Sequence, residues 1–345
     1  MTLFVTGGSG FIGSAFLRYW NREHPEDALI NFDALTYAAS EDAVAELENS
    51  PGYRFIKGDI TDRDAVRAGM QGADIVVHFA AETHVDRSIM NPSIFVKTNV
   101  LGTQVLLDIA REIGVKRFHH VSTDEVFGSL ELGSSKKFSE QTPYDPRSPY
   151  SASKAGSDHL VRSAFHTYGL PITITNCSNN YGAFQFPEKL IPLVITNILE
   201  KKPIPVYGEG NQVRDWLFVD DHCRAIDLVL QGGVVGETYC VGGLQKDVTN
   251  LEVVKLLLSL AGESEDLIEH VQDRSGHDVR YAVDWTKINH ELGWSPSVSL
   301  AEGLEKTFTW YKTHPDVWKK MKSEGYEAYY KKQYEDRDRE MQDLL

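Results

Sequence analysis

A glycine-rich segment near the start of the chain limits the folds that this sequence can adopt. Gly7, Gly10 and Gly13 follow the apolar run Leu3–Val5 and precede an amphipathic stretch over residues 14–20. This order predicts a buried strand, a tight turn and a helix. In such a turn the first glycine permits the bend, the second lets backbone approach a phosphate, and the third lets helix and strand pack closely. Because the first N–H groups of a helix favour an anion, we expect a pyrophosphate site here.

The acidic residue after the second predicted strand indicates which dinucleotide would bind. Residues 30–32 lead into Asp33, which lies about twenty residues beyond the turn, where a carboxylate can bond both hydroxyls of a ribose. No Arg or Lys follows closely to bind a 2′-phosphate. The alternative is a glycine-rich turn that binds no ligand. We predict NAD rather than NADP, bound by Gly7, Gly10, Phe11, Ile12, Gly13 and Asp33.

Composition excludes several classes of partner. The chain has 345 residues, of which 41% are hydrophobic, so it can bury a full core in two lobes. Its net charge of −15 disfavours a nucleic acid partner. Cys177, Cys223 and Cys240 lack metal-ligand spacing, so we predict reduced thiols, no metal and a cytoplasmic location. No apolar run reaches the roughly eighteen residues that a membrane span needs, and no signal peptide is expected.

Apolar runs alternate with helical patterns in the first half of the chain. The predicted strands are Leu3–Thr6, Leu29–Asp33, Tyr53–Lys57, Ile75–Phe79, Arg117–Ser122 and Ile172–Cys177. The predicted helices lie near residues 13–21, 43–47, 63–69, 95–113 and 150–168. This alternation predicts an α/β fold, a Rossmann-type doubly wound parallel sheet with the ligand crevice at the carboxyl ends of its strands.

The pattern in the second half of the sequence predicts a smaller, discontinuous α/β lobe that would bind the substrate. Thr238–Val241 reads as a further strand of the main sheet, so the chain is expected to return to the first lobe and leave it again. We predict an NAD-binding domain of residues 1–178 and about 215–244, and a substrate-binding lobe of about 179–214 and 245–345.

Local signals in this half predict three helices and a tail. One helix is expected from Phe186 to about Leu199, and one capped by Asp220 or Asp221. Thr249 has the spacing of a capping box with the glutamate three residues later, which predicts another helix. The charged, aromatic tail beyond residue 311 is expected to be a solvated helix, whereas His78, Trp216 and Trp294 are predicted core residues.

A tyrosine and a lysine one helical turn apart form a candidate catalytic pair. Tyr150 and Lys154 share one face of a predicted helix, behind a strand that ends in Ser122–Thr123. A neighbouring ammonium group stabilises a phenolate, so we expect the pKa of Tyr150 to fall toward neutrality and the tyrosine to accept a proton from an alcohol. The lysine can also bond the nicotinamide ribose. The alternative is a surface pair without a catalytic role.

Two carboxyl groups follow Thr123 directly. If their environments split the pKa values of Asp124 and Glu125, one group can donate a proton while the other accepts one. Eliminating water needs such a pair, whereas simple dehydrogenation or 4-epimerisation does not. The alternative is a pair of solvated loop acids.

Together these features resemble the extended short-chain dehydrogenase/reductase family and, within it, the dTDP-glucose 4,6-dehydratases. The similar segments are spread over both lobes, at residues 80–88, 121–128, 176–182, 185–192, 214–216 and 273–277. The resemblance implies oxidation of the sugar at C4, loss of water across C5 and C6, and return of the hydride to C6. In that family the residues at the positions of Tyr150, Thr123 and Lys154 act on the 4-hydroxyl group, Glu125 would take the proton from C5, and Asp124 would protonate the departing 6-hydroxyl.

The resemblance also implies binding residues. Additional contacts to the cofactor are expected from Asp59, Ile60, Ala80, Ala81, Tyr150 and Lys154. The expected substrate residues are His84, Asn179, Glu188, Lys189, Tyr207, Arg214, Asn250, Arg274 and His277. Among these, Lys189, Arg214 and Arg274 would neutralise a diphosphate, and Tyr207 would stack on the base.

The sequence leaves open several alternatives to this function, and it does not fix the oligomeric state. They are the same chemistry on another nucleotide hexose, a UDP-sugar 4-epimerase or decarboxylase, and an inactive NAD-binding scaffold. Family resemblance implies a homodimer formed through the helices near residues 101–113 and 150–168, with a nucleotide sugar as the small-molecule partner.

Overall fold

Seven parallel strands form the main sheet of the computed structural model, which describes residues 1–273, 276–322, 324–331 and 333. In chain order the strands are β1 Thr2–Thr6, β2 Ala28–Asp33, β3 Tyr53–Lys57, β4 Ile75–His78, β5 Arg117–Thr123, β6 Ile172–Cys177, β7 Asn179–Tyr181, β8 Ile204–Tyr207, β9 Trp216–Phe218, β10 Thr238–Val241 and β11 Ile268–Val271. The main sheet has the order β10-β6-β5-β4-β1-β2-β3. Since the order runs outward in opposite directions from β1 and β4, a crevice opens at their carboxyl ends.

Helices cover both faces of this sheet and build most of the second lobe. They are α1 Phe11–Glu23, α2 Arg63–Met70, α3 Val85–Met90, α4 Pro92–Phe95, α5 Thr103–Ile113, α6 Pro149–Tyr168, α7 Leu190–Glu200, α8 Val219–Gly232, α9 Asn250–Ala261, α10 Thr286–Leu292, α11 Leu300–Thr313, α12 Pro315–Met321 and α13 Glu324–Tyr330. The predicted α/β class and the parallel sheet are confirmed, including the return of the chain to the sheet at β10, which pairs with β6.

Alternation of side chains along β1 supplies both layers of the core. Phe4 packs with α2, α5 and α6 on one face, whereas Leu3 and Val5 pack with α1 and α8 on the other. All three are fully buried, as expected for a parallel strand that is covered on both sides. His78 is buried in this core, where its ring contacts the hydroxyls of Thr6 and Thr103.

The smaller lobe has its own core between short parallel strand pairs and four helices, α7, α9, α11 and α12. β8 pairs with β11, and β7 pairs with β9. Val206, Val254 and Leu304 meet in a cluster that also buries Trp216, while Trp294 packs in a cluster with β10 and α10. The predicted packing roles of the two tryptophans are confirmed. The thiols of Cys177, Cys223 and Cys240 are free and buried.

Four local predictions were wrong in detail. The helix predicted over 43–47 is two 3₁₀ turns, and the one over 95–113 is interrupted by a π-helical turn, Val96–Gly102. Helix α7 begins at Leu190 rather than Phe186. Asp221 does not cap α8 but lies in its first turn. Its carboxylate accepts hydrogen bonds from the distant Ser297 and from the backbone N–H of Val298. A long-range partner outweighs the local capping preference here.

The tail beyond residue 311 differs from the solvated helix that its composition predicts. It forms α12 and α13, and three of its aromatic side chains, Trp318, Tyr326 and Tyr329, are buried. Within the described residues, no helix combines the length and the apolar character that crossing a bilayer requires. The capping box at the start of α9 is confirmed, with Thr249 and Glu252 bonded reciprocally.

Candidate active site

The glycine turn between β1 and α1 forms a cradle without side chains. Gly7 has a φ of +71°, a conformation that favours glycine. A Cβ atom at Gly13 would lie 2.2 Å from the carbonyl oxygen of Gly7, and one at Gly10 would lie 3.2 Å from it. No side chain caps the N-terminus of α1, at Gly10. The geometry therefore fits a pyrophosphate, bound by backbone N–H groups at the start of the helix.

Asp33 is held in place at the end of β2. Its Oδ2 accepts a hydrogen bond from the backbone N–H of Ser9 (2.9 Å), and its Oδ1 accepts one from Leu35 (2.8 Å). Burial raises the pKa of this carboxyl group, while the two backbone hydrogen bonds oppose the rise. The side chain borders the cleft, where a carboxylate can accept hydrogen bonds from ribose hydroxyls.

One cleft brings together every residue that the sequence assigns to the cofactor. Its first half is lined by Gly7, Gly10, Phe11, Ile12, Gly13, Asp33, Asp59, Ile60, Ala80, Ala81, Tyr150 and Lys154. Sequence reasoning missed the loop after β2, of which Thr36, Ala38 and Ala39 also line this half. Small residues in a loop carry no chemical signal, and only the folded chain brings them to the cleft.

Thr123 ends β5 at the centre of the cleft. Its Oγ1 accepts a hydrogen bond from the backbone N–H of Glu125 (3.3 Å) and thereby caps the 3₁₀ turn Asp124–Phe127. The side chain of Asn176 on β6 donates to the carbonyl oxygen of Thr123 (3.1 Å). The turn thus positions the hydroxyl, and the neighbouring strand holds the backbone of the same residue.

The pKa of Tyr150 is shifted mainly by burial and not by the neighbouring Lys154. Burial raises the pKa of its phenol well above the usual value, and the charges of Glu125, Cys177 and Asp124 raise it further, whereas a hydrogen bond to Thr123 lowers it. The pKa predicted to fall toward neutrality is therefore raised in this structure. Lys154, on the same face of α6, lies close enough to line the same cleft, but its Nζ donates to the carbonyl oxygen of Val121 (2.8 Å).

A buried polar network stands behind the lysine. The carboxylate of Asp158 accepts hydrogen bonds from the hydroxyls of Ser122 and Tyr144, both at 2.8 Å, and lies 3.1 Å from Nε2 of His120. That imidazole nitrogen lies 3.5 Å from Nζ of Lys154. Burial lowers the pKa of His120 to about 4. Sequence reasoning missed Asp158, although its position two turns beyond Tyr150 on α6 places it on the catalytic face.

Asp124 and Glu125 lie in different surroundings. Asp124 is 1% exposed, and burial raises its pKa well above the usual value, with the charges of Glu125 and Asp215 adding to the rise. Its Oδ2 has no hydrogen-bond partner among the described residues. Glu125 instead lines both halves of the cleft. A carboxyl group whose protonated form is favoured by burial therefore lies directly beside one that lines the cleft, as an acid and a base require.

The second half of the cleft gathers the residues assigned to the substrate. It is lined by His84, Asn179, Glu188, Lys189, Tyr207, Arg214, Asn250 and His277. Arg274 lies outside the described residues. The halves are continuous because Glu125, Asn179, Glu188 and Lys189 line both of them.

Two cations and a ring define the chemistry of this half. Nζ of Lys189 donates to the carbonyl oxygen of Thr83 (3.0 Å). Arg214 is buried, and its guanidinium carbon lies 4.3 Å from the ring centre of Tyr281. Positive charge in a cleft of an otherwise acidic protein suits a diphosphate, which a guanidinium group can bond through two donors.

Comparison with known proteins gives a consistent result. A sequence model of the family described as GDP-mannose 4,6 dehydratase matches residues 4–307. A dTDP-glucose 4,6-dehydratase of Haemophilus influenzae is 51% identical over 333 residues, which cover 90% of this chain and 98% of the relative. The crystal structure of a dTDP-glucose 4,6-dehydratase from Streptomyces venezuelae, solved with NAD bound, is 48% identical with a TM-score of 0.90, and the match covers 93% of this chain and 100% of that one.

Similarity to an epimerase is weaker. A UDP-glucose 4-epimerase from Thermotoga maritima has a TM-score of 0.84 but only 28% identity, over 91% of this chain and 99% of that chain. The two groups share the fold, and the higher identity over the same extent separates this sequence from the epimerases. The resemblance inferred from the sequence is confirmed, and the chain belongs to the dTDP-glucose 4,6-dehydratase family.

Proposed function

We propose that this protein is a nucleotide-sugar 4,6-dehydratase that converts dTDP-glucose into dTDP-4-keto-6-deoxyglucose. The observation that carries the proposal is the pair formed by Asp124 and Glu125, one buried with a raised pKa and one facing the cleft, next to Thr123 and Tyr150. A dehydratase needs both an acid and a base, whereas an epimerase or a scaffold does not. Family membership points to the same reaction.

The cofactor is NAD, which the glycine cradle and Asp33 fit. When bound, NAD would supply a reversible hydride acceptor for the sugar carbons and a positive charge that favours a phenolate. Since the cofactor ends each cycle in its starting redox state, the enzyme needs no second oxidant, and the NAD can stay bound between turnovers.

The side chains of the first half would activate the sugar. Tyr150 takes the proton of the 4-hydroxyl group as that carbon is oxidised, and Thr123 donates a hydrogen bond to the same oxygen. Lys154 supplies the positive charge that offsets the unfavourable burial of a phenolate. The resulting 4-keto group acidifies the hydrogen on C5.

The carboxyl pair would then expel water. Glu125 takes the proton from C5, the electron pair forms the C5–C6 double bond, and the C6–O bond breaks as Asp124 donates its proton to the leaving oxygen. The hydride then adds at C6, and a proton adds at C5. Asp124 is suited to this role because its raised pKa keeps it protonated at higher pH than an exposed aspartate.

A turnover assay without added NAD tests both the reaction and the substrate. The purified protein is mixed separately with dTDP-glucose, UDP-glucose and GDP-mannose, and the alkaline absorbance of a 4-keto sugar is recorded. We expect a signal that accumulates over many turnovers with dTDP-glucose. An Asp124→Asn, Glu125→Gln double variant should form NADH once per bound cofactor and accumulate no further signal. A signal with UDP-glucose or GDP-mannose alone would assign the same chemistry to another substrate. No signal with any of the three would overturn the proposal.

A homodimer is proposed for the assembly. Ile89, Met90, Val96 and Leu101 are each 41–55% exposed along α3 and the π-helical turn that packs on α6. Exposed large apolar side chains on these neighbouring elements favour binding to a second copy of the same surface, because a twofold interface pairs each patch with its own copy. Buried, free thiols fit a reducing compartment, and a cytoplasmic location stays a prediction.

A further inference from the structure

The loop after β2 is anchored to the segment before α7 by one of its own side chains. Thr36, Ala38 and Ala39 face the cofactor half of the cleft. Tyr37, which lies among them, instead donates its hydroxyl proton to Oε1 of Glu188 (3.0 Å). The loop wall of the cofactor site is thus tied to a residue more than a hundred positions away in the chain.

Arg87 on α3 completes this anchor. Its Nε donates to the other carboxylate oxygen, Oε2 of Glu188, at 2.8 Å. Its guanidinium carbon lies 3.9 Å from the ring centre of Tyr37 and 4.4 Å from that of Tyr329 on α13. The Glu188 side chain is only 1% exposed and that of Arg87 25%, so the ion pair is largely shielded from water.

A second set of contacts runs parallel to the first. The ring centre of Phe186, which lines the cleft, lies 5.5 Å from that of Tyr37 and 6.0 Å from that of Tyr326 on α13. The hydroxyl of Tyr326 donates to the carbonyl oxygen of Pro187 (3.1 Å). Helix α13 therefore packs against the segment that carries Glu188.

Motion of the loop away from the cleft would break these contacts together. Tyr37 would lose its hydrogen bond to Glu188, and the guanidinium group of Arg87 would lose one of its two aromatic rings. The buried carboxylate of Glu188 would lose one of its hydrogen-bond donors, which is unfavourable, and the loss of a cation–π contact on Arg87 adds to that penalty. The open state of the loop, from which a bound dinucleotide could leave, is therefore poorly populated.

We propose that Arg87 is a positioning residue that retains the cofactor, by fixing the loop after β2 over bound NAD through Tyr37, Glu188 and Tyr329. The inference rests on the proposed function only in taking NAD as the cofactor. It explains how a self-regenerating cofactor stays in place through many cycles, and it gives helix α13 a role, since this helix supplies one of the two rings.

Exchange of bound NAD tests this inference directly. The protein as purified is mixed with excess nicotinamide 1,N⁶-ethenoadenine dinucleotide, a fluorescent NAD analogue, and the rate of exchange is followed without any sugar. Arg87→Ala should exchange about tenfold faster or more, because tenfold corresponds to about 1.4 kcal/mol, within the range of a desolvated cation–π contact. Arg87→Lys should exchange nearly as fast as Arg87→Ala, since an ammonium group cannot stack on two rings.

Matched variants separate retention from general destabilisation. Arg22 also lies over a tyrosine and pairs with a neighbouring glutamate, but on the surface of α1, so Arg22→Ala should exchange at the wild-type rate. Tyr329→Phe, which keeps the ring, should resemble wild type, whereas Tyr329→Ala should resemble Arg87→Ala. Circular dichroism establishes that each variant is folded.

Two outcomes would overturn the inference. One is a folded Arg87→Ala variant that exchanges NAD at the wild-type rate. The other is a rise in KM for dTDP-glucose with unchanged exchange, which would place Arg87 in substrate binding. Exchange is measured without sugar, so it does not depend on dehydratase activity. If the protein fails to dehydrate dTDP-glucose but Arg87→Ala still exchanges NAD faster than wild type, the proposed function is wrong and the role of Arg87 in retaining NAD is supported.

Discussion

Asp124 and Glu125 are neighbours in the chain, but burial gives them different chemistry. Asp124 is enclosed beneath Thr123, in reach of the charge of Asp215, whereas Glu125 lines both halves of the cleft. Desolvation penalises the charged form of a carboxyl group, so the buried member keeps its proton to higher pH. The functional distinction between the two residues therefore comes from their surroundings, since both carry the same functional group.

Replacing Asp124 by asparagine should change how stability depends on pH. The folded-state pKa of Asp124 lies above its unfolded value, so its contribution to stability is complete below about pH 4 and is lost as pH rises through the folded pKa. Asparagine cannot ionise and escapes this loss. In urea titrations, the free energy of unfolding of Asp124→Asn minus that of wild type should therefore become more positive as pH rises above about 4. A constant difference would show that Asp124 has an ordinary pKa.

A single methyl group in the glycine cradle should abolish cofactor binding. The Cβ of Gly13→Ala would lie 2.2 Å from the carbonyl oxygen of Gly7, which is backbone and cannot rotate away. Gly232→Ala is the control, because its Cβ would approach only the flexible side chain of Leu292, at 3.3 Å. We expect the NAD released on denaturation to fall by about tenfold or more for Gly13→Ala. Full NAD content in that variant would contradict the assigned role of the turn.

Helix α6 shows how an element converts a local signal into a catalytic position. Ser148 and Ser151 form a reciprocal capping box, each bond at 3.0 Å, and Pro149 occupies the first helical position. Tyr150 therefore lies in the first turn, where fraying would move it most, and Lys154 lies one turn further on. Capping fixes the start of the helix and with it the position of the phenol.

Loss of this cap should affect catalysis as well as stability. Ser148→Ala removes the acceptor for the backbone N–H of Ser151 and should lower the free energy of unfolding by about 1 kcal/mol. Ser299→Ala removes a similar cap from α11, where the serine accepts from Glu302 at 3.3 Å, and should cost a comparable amount. Only Ser148→Ala should also lower kcat. An equal kcat in the two variants would mean that Tyr150 does not depend on its cap.

At the scale of the whole molecule, the proposed active site lies between the main sheet and the smaller group of strands and helices, which have separate hydrophobic clusters. Main-sheet residues line the cofactor half of the cleft, whereas Tyr207 of β8 and Asn250 of α9 reach the other half from the smaller lobe. The lobes meet at Glu125, Asn179 and Glu188, which border both halves. A sugar nucleotide that spans the cleft would therefore contact both lobes.

Charge placed on the exposed apolar patch should dissociate the proposed homodimer. Val96 is 55% exposed on the π-helical turn, so Val96→Lys would put an ammonium group into a twofold interface, facing its own copy. Leu132, 54% exposed in a distant loop, gives the control Leu132→Lys. In sedimentation velocity at micromolar concentration, wild type and Leu132→Lys should be dimers and Val96→Lys a monomer. A monomeric wild type would refute the assembly.

Much of the fold and the site could be predicted from the sequence, because those parts depend on local chemistry. Glycine spacing, the acidic residue at the end of β2, and the run of side chains after β5 are all short-range patterns, and each falls at the carboxyl end of a parallel strand. The position of α7, the π-helical turn and the partner of Asp221 depend on packing between distant segments, which local patterns do not contain.

The sequence by itself determined the sheet and the glycine turn, since the spacing of neighbouring residues sets strand, turn and helix, and it supplied the groups that are proposed to react. Tertiary structure alone decided how those groups ionise: burial raises the pKa of Tyr150, which the nearby lysine was expected to lower, and raises that of Asp124. It also decided that Arg87, Glu188 and Tyr329 meet, although more than two hundred residues separate the first from the last. Desolvation and long-range contact are properties of the packed molecule, and no local pattern encodes their magnitude.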